Sequence, residues 1–394
     1  MFWSTPLTFV NAQVVLPGGA VARTIRVKGE RVDGLGVAPQ KGDAVVDLED
    51  SFVFPGLINA HDHLELNSQP RLKWRDRYDN AREWFADFQP RFDTDPSLAV
   101  TRAETLDDRV WVGGLKNLLS GVTTVCHHNP MHRVLRRRFP VRVVSEFGYS
   151  HSLHIDGEQV TASHRSTPPD WPWMIHAAEG CDPDAARELD RLDRLGCLRS
   201  NTVLIHGVAF SRTEADRVVE AGAGLVWCPS SNEFLFSRTA DVRVFDDADR
   251  LALGSDSRLS GQGDLLDELK AAHATRQLSA EGLARIVTAG AAALLRLKSA
   301  GRVAVGAPAD ITIVRPLASC PFESLVAASR TDIRMTMING KPAVGDPALA
   351  AVFAATRVTT APARVDGAER LVAGWIGTHA SRMQLHEPGF EVRH

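Results

Sequence analysis

Four apolar stretches of this chain end in residues that bind cations. Val53-Phe54-Pro55-Gly56-Leu57-Ile58-Asn59-Ala60 leads into His61-Asp62-His63. Met174-Ile175 leads into His176-Ala177-Ala178-Glu179, Val203-Leu204-Ile205 into His206-Gly207, and Leu251-Ala252-Leu253-Gly254-Ser255 into Asp256. Side chains two apart on an extended strand share a face, so the imidazoles of His61 and His63 can reach one ion. One histidine closing a buried strand is ordinarily a hydrogen-bonded structural residue. Strand ends carrying His, His, His and Asp in one chain are hard to attribute to packing. Imidazole and carboxylate ligands that leave a position open are what a catalytic Zn²⁺-type site requires.

The elements that must position these residues follow from the pattern of the chain. Short apolar runs (Val53–Asn59, Val122–His127, Val141–Phe147, Trp173–Ala177, Val203–Val208, Gly224–Cys228, Leu251–Gly254) alternate with helical-length polar stretches such as Pro96–Ser120, Asp182–Leu195, Ser211–Ala221 and Leu265–Arg276. Alternation of this kind implies parallel strands with right-handed crossovers, and seven or eight units over about 250 residues predict an α/β fold of the (β/α)₈ type. In such barrels the reacting groups gather at the carboxyl ends of the strands, where the residues above lie. One place does not fit. A complete barrel needs a helix, a fourth strand and another helix between Phe147 and Trp173, and Gly148–Trp171 has room for hardly more than one short strand, so either the fourth unit is abbreviated or the barrel is irregular there.

Both ends of the chain read as β. Thr8–Val15, Thr24–Val27 and Ala44–Leu48 are punctuated by Gly18-Gly19, Gly29 and Gly42, and Asp310–Val314 and Met335–Ile338 precede an Asn339-Gly340 hairpin signal. One small sheet assembled from both termini is expected. The domain organisation that follows is 1–55 and 301–350 as the two parts of a β-sandwich, 56–300 as the barrel, and 351–394 as a helical extension with its helix over Ala368–Leu385.

Composition excludes several classes. The 394 residues are 44% hydrophobic and 24% charged, with a formal net charge of -3, which excludes disorder and a polyanion-binding surface. The basic run Arg136-Arg137-Arg138 is too short to indicate nucleic acid. Five cysteines without a C-x-x-C pair fit a reducing cytoplasm. The opening residues carry no leader pattern, and no stretch of about 18 apolar residues indicates a membrane span.

The chain resembles the amidohydrolase superfamily in its cytosine deaminase/chlorohydrolase-like branch. The matching pieces are PGLINAHDH at 55–63, HAAE at 176–179, IHGV at 205–208, CPSSN at 228–232, GSDS at 254–257, GRVAVGAPADITIV at 301–314 and MINGKPAVGD at 337–346. The resemblance covers nearly the whole chain and is specific for fold rather than for substrate. It implies a metal held by His61, His63, His176 and Asp256, with Glu179 as the acid/base of the H-x-x-E motif. His206 would polarise the attacked centre and the metal-bound water. Some relatives bridge two metals with a carboxylated lysine, but none of Lys28, Lys41, Lys73, Lys116, Lys270, Lys298 and Lys341 ends a middle strand, which favours one divalent ion, zinc before iron. Glu146 is an alternative carboxylate ligand for a second ion.

These roles have their own physical sense. A divalent ion lowers the pKa of bound water to about 7. Asp256 would accept the proton of the hydroxide, Glu179 would carry a proton to a ring nitrogen or leaving group, and His206 would steady charge on the nucleophile or the tetrahedral carbon. The expected activity is deamination of an amino-substituted heterocycle by metal-bound hydroxide. Hydrolysis of a cyclic amide or of a chloro- or amino-triazine is the alternative, and a catalytically silent scaffold the rival. The expected partner is a small nitrogen heterocycle, not nucleic acid or a membrane, with a homo-oligomer left open. His127-His128-Asn129 face the same mouth as either structural or substrate-contacting residues, and His151 and His154 read as solvated loop histidines. Trp74, Trp84, Phe85 and Phe88 within Leu64–Phe92 read equally as a lid or as a packed surface helix.

Overall fold

The structure, a computed structural model, describes residues 5–16 and 21–393, so the Gly18-Gly19 turn lies outside the described residues. Eight parallel strands follow one another around a barrel. They are β1 (Leu57–Asp62), β2 (Val122–His127), β3 (Arg142–Val143), β4 (Gly148–Ser152), β5 (Trp173–Ala177), β6 (Thr202–His206), β7 (Gly224–Trp227) and β8 (Leu251–Leu253). One ladder joins β1, β2 and β3, and a second joins β4 through β8. Both faces of β1, β2 and β5 to β8 are buried, which is why they read as continuous apolar runs, whereas β3 and β4 are mostly half-buried. Ile58, Ala60, Cys126, Met174, Val203, Ile205, Val226 and Ala252 fill the interior. Trp173, Ile175, Leu204, Leu225, Trp227, Leu251 and Leu253 pack outward on the surrounding helices through Leu189, Val218, Leu265, Leu269 and Leu283.

Two seams interrupt the ladders. Between β8 and β1 the backbone contact is one hydrogen bond, from Asp256 N–H to the His61 carbonyl at 3.1 Å, together with a close approach at Gly254. A Cβ there would stand 2.7 Å from that of His61. Between β3 and β4 the chain itself crosses the seam through residues 144–147.

The misfit noted in the sequence therefore has a different content from an abbreviated fourth unit. Gly148–Trp171 supplies a fourth strand, the short helix Leu153–Asp156 and a second helix, Gln159–Ser166. What is missing is the helix after β3. That strand ends opposite Val125, two residues below the end of β2, and the chain turns back without leaving the wall.

The helices that matter for the site are α1 (Ala81–Phe92), α2 (Leu106–Leu119), α3 (Glu188–Arg194) and α4 (Pro229–Phe236). Asn80 caps α1 and Thr105 caps α2, each accepting a backbone N–H of the first turn.

Strands from both ends of the chain share a nine-stranded sheet. In it Phe52–Pro55 and Gln13–Val15 lie beside Ile311–Val314, Ile333–Ile338 and Lys341–Gly345. A four-stranded sheet of Leu7–Val10, Ile25–Lys28, Arg31–Leu35 and Ala44–Asp47 packs on it through Phe9, Ile25, Val27, Val53, Ile313 and Met335. The helix expected over 368–385 is not formed as such. Thr360–Val365 and Ala368–Ala373 make a hairpin that extends the large sheet, and the helix is confined to Gly374–Ala380. The cause is Asp366-Gly367, both left-handed (φ 47° and 84°), which makes a two-residue hairpin turn and sets the strand alternation over the helical spacing. Among the described residues no helix is long and apolar enough to cross a membrane.

Candidate metal centre and active site

His61 and His63 reach the barrel mouth through a bulge. Four residues of β1, Asn59 to Asp62, stand against three of β2, Val125 to His127. Ile58 and Ala60 already point inward, and the extra residue re-aims the two histidines to the same side. His206 and Asp256 arrive by left-handed backbone, φ 77° and 51°. On β6 the inward residues are Val203 and Ile205, so an extended His206 would face the helices instead. Strain at non-glycine residues of this kind is typical of functional sites.

Four ligand atoms converge. His61 Nε2 and His63 Nε2 lie 3.3 and 3.4 Å from His176 Nε2, and 3.7 and 3.8 Å from Asp256 Oδ1. Separations of about 3.5 Å suit ligands about 2.1 Å from a shared ion, the bond length of zinc to imidazole nitrogen and carboxylate oxygen, and His61, His63 and Asp256 form one candidate group while His61, His176 and His206 form another. Hydrogen bonds at the far sides of the His176 and His61 rings leave lone pairs at the centre. His176 Nδ1 donates to the His151 carbonyl at 2.7 Å. His61 Nδ1 donates to His128 Nδ1 at 3.3 Å, and His128 Nε2 in turn donates to the Ser150 carbonyl at 3.0 Å. Both carbonyls belong to an irregular step of β4, where Tyr149 to Ser152 faces Met174 to His176. The short fourth strand thus orients two metal-facing histidines. The residues present fit a divalent ion.

His206 stands beside this group, its Nδ1 donating to Asn232 Oδ1 at 2.8 Å and its Nε2 3.5 Å from Glu179 Oε1. Burial raises the Glu179 carboxyl to about 7, against the pull of His206. Burial also pushes Asp256 upward, but His63, His206 and the hydroxyls of Ser231 and Ser260, both 2.8 Å from Oδ2, hold it below the ordinary carboxylate value. Two carboxyl groups in one mouth are set apart, one held ionised and one able to exchange a proton near neutral pH.

Both groups face a cavity of about 160 Å³, lined on its apolar side by Trp84, Phe85, Phe88, Leu235 and Leu259. The 64–92 segment therefore covers the mouth, with Trp84 stacked on Phe88 at 5.5 Å and Trp74 behind it at 6.2 Å. Its anchor is the backbone next to Glu179. Ala81 N–H donates to the Glu179 carbonyl and Cys181 N–H to the Asp79 carbonyl. A Cβ on Gly180 would stand 2.6 Å from the Asp79 oxygen, so glycine is required between them.

Some sequence expectations change. His151 is not a solvated loop residue: it lines the cavity, its ring centre 4.6 Å from that of His176. His154 is exposed at the rim. His128 is fully buried and structural, whereas Asn129 and His63 both line the cavity. Glu146 is exposed in the β3–β4 connection and absent from the cavity wall, so it reaches no ion at the mouth. Sequence reasoning assigned no role to Asn232, Ser231 or Ser260, although the first two lie in the quoted CPSSN motif. It also missed Glu188 on α3, whose carboxyl lines the cavity, accepts the Ala178 N–H at 2.7 Å and is raised to about 7 by burial. A second cluster, Glu65, His127 and His132, brings possible ligand atoms together. Leu64 N–H donates to His127 Nδ1, so the ring proton sits on Nε2, facing Glu65 Oε2 at 3.7 Å. At that distance no hydrogen bond forms, and both atoms are buried without a hydrogen-bond partner.

Residues 170–343 match the model of the amidohydrolase family. A 5-methylthioadenosine/S-adenosylhomocysteine deaminase of Natronomonas pharaonis is 34% identical over 182 residues, 42% of each chain. The protein of that name from Halobacterium salinarum is 28% identical over 367 residues, 77% of this chain and 84% of the relative. Among solved structures, a zinc-bound adenosine deaminase of Xanthomonas campestris superposes with a TM-score of 0.69 at 20% identity, over 89% of this chain and 97% of that one. Fold and relatives point the same way: residues 170–343 match the amidohydrolase family, and the chain is similar to its deaminases over most of its length.

Proposed function

We propose that this protein is a mononuclear deaminase that releases ammonia from an amino-substituted nitrogen heterocycle, with purines and their nucleosides as the first class to test. The observation that carries the reading is Glu179, raised to about 7, beside His206 and the four converging ligand atoms, all facing one cavity. His61, His63, His176 and Asp256 would hold one zinc ion, which when bound supplies a water of lowered pKa and polarises the attacked carbon.

The protein's own groups account for the rest. Asp256, kept ionised, accepts a proton from the nucleophile. Glu179 gives its proton to the ring nitrogen beside the amino-bearing carbon and is reprotonated by the second proton of the attacking water, while Asp256 passes the first to the departing nitrogen. His206, fixed by Asn232, presents Nε2 to the oxygen on that carbon. A C–O bond forms, the C–N bond breaks, and water is consumed as ammonia leaves. The aromatic wall of Trp84, Phe85 and Phe88 suits the faces of a planar ring and excludes bulk water. The names of the relatives favour adenine-type rings. Five unpaired cysteines support a cytoplasmic setting.

The test is ammonia release by zinc-loaded protein across purines, purine nucleosides, pyrimidines, pterins and triazines, with Glu179→Gln as control. Turnover of a purine nucleoside supports the reading. Release from triazines alone would move the substrate class, and release from none would refute deamination.

A further inference from the structure

We propose that Lys116 is a positioning residue of the metal centre, its buried ammonium tying the strand of His61 and His63 to the turn of Asp256 across the open β8–β1 seam. The inference rests on the metal reading above and concerns residues outside the ligand set.

The seam poses a mechanical problem. Two ligands come from the end of β1 and one from the turn after β8, and a single backbone hydrogen bond joins these strands. The turn also holds Asp256 in left-handed backbone, which a non-glycine residue leaves readily unless held. Lys116 projects from α2 into the space behind the ligands, and its side chain and that of Asp62 are both fully buried. Nζ contacts both sides of the seam. It lies 3.0 Å from Asp62 Oδ2, between the two histidines, and 2.7 Å from Asn67 Oδ1. Across the gap it lies 3.0 Å from Ser255 Oγ and 3.4 Å from the Asp256 carbonyl.

Asp62 is saturated in turn, accepting from Asn117 at 2.7 Å, Asn67 at 2.8 Å and Asn59 at 3.2 Å. Asn59 repeats the crossing from below, exchanging hydrogen bonds with Ser255 N–H and Oγ at 3.0 and 2.8 Å. An ammonium and a carboxylate buried with every donor and acceptor met make a rigid, directional joint. Buried ion pairs are often replaceable by apolar pairs without loss of stability, so fold stability alone does not explain this one. Its location does, since each ligand segment that meets at the seam is held by the same Nζ.

The experiment compares wild type, Lys116→Met, Lys116→Gln and the double variant Asp62→Asn/Lys116→Met, each loaded with Co²⁺. Chelator competition gives the dissociation constant, the visible spectrum reports ligand geometry, and thermal melting of the metal-free chains reports folding. Lys116→Met is expected to weaken Co²⁺ binding about 10–100-fold and to change the spectrum. Lys116→Gln, which keeps donors for Asn67 and Ser255, is expected to recover part of the affinity. The double variant, which no longer buries an unpaired carboxylate, should melt near wild type and still bind weakly with the altered spectrum. If Lys116→Met does not fold, the double variant and Lys116→Gln carry the same comparison. Wild-type affinity and spectrum in the double variant would overturn the proposal and leave the pair as packing. A wild-type chain that takes up no Co²⁺ overturns the metal reading and this proposal with it.

Discussion

Replacing Glu179 with Gln should make the metal-free protein more stable while it disables the enzyme. Glu179 is raised from 4.5 to about 7, chiefly by burial. A carboxyl whose folded pKa lies above its unfolded value favours the fold while protonated, and that advantage is lost as pH rises through the folded value. Below about pH 4.5 the group is neutral in both states and has no effect. Above about pH 7 the fold carries a buried anion, and the shift corresponds to about 3 kcal/mol of lost stability. Gln has the same shape and no charge. Urea unfolding of chelated protein should therefore show wild type and Glu179→Gln alike at pH 4.5, and the variant more stable by up to about 3 kcal/mol at pH 8. With zinc restored, ammonia release by the variant should fall roughly 10²–10⁴-fold while the metal stays bound. Equal stabilities at both pH values would refute the burial argument. Full activity would refute the proton-carrying role, and loss of metal would make Glu179 a ligand.

Protein isolated without chelator should contain close to one equivalent of zinc by elemental analysis, and His176→Ala should contain almost none. Two equivalents in wild type would sink the single-ion reading and make Glu65, His127 and His132 the next group to test. Trp84→Ala should raise KM or lower kcat without loss of metal or melting temperature, because Trp84 faces the cavity; lost stability with unchanged kinetics would return it to packing. Asn232→Ala frees His206 Nδ1, so kcat should fall about 10–100-fold with zinc content unchanged, as measured by parallel kinetics and metal analysis.

Much of the centre was legible because ligands must sit at strand ends, and a strand buried on both faces is a visible apolar run. What was hidden depends on single-residue geometry. The spacing of His61 and His63 gives a shared face, but only the bulge before Asp62 turns that face to the mouth. His206 lies on the outward side of β6 by alternation, and a left-handed φ brings it back. His151 looked like a loop residue because β4 is short and polar, yet its backbone carbonyl is its main contribution. Lys116 was weighed only as a bridging ligand, since nothing local in α2 reports that a helix side chain ends behind the metal. The C-terminal error was avoidable: Asp366-Gly367 is a hairpin signal, outvoted by the apolar spacing of Leu371, Val372, Trp375 and Ile376.

The seam between β8 and β1 also dictates when the ion can be captured. Asn59 and Ser255, which meet across it, are 196 residues apart in sequence, so the binding pocket is among the contacts with the greatest loop-closure demand in the chain. A nascent polypeptide holding His61 and His63 alone has two imidazoles and no enclosing geometry. His176 adds a third ligand, but Asp256 must be synthesised and the last strand docked before the set is complete. With the proposed ligand set, uptake of metal would be a late event that reads out completion of the ring. Once taken up, the ion becomes a latch, and chelation should loosen hydrogen exchange first at the backbone amide of Asp256, the lone rung across the gap.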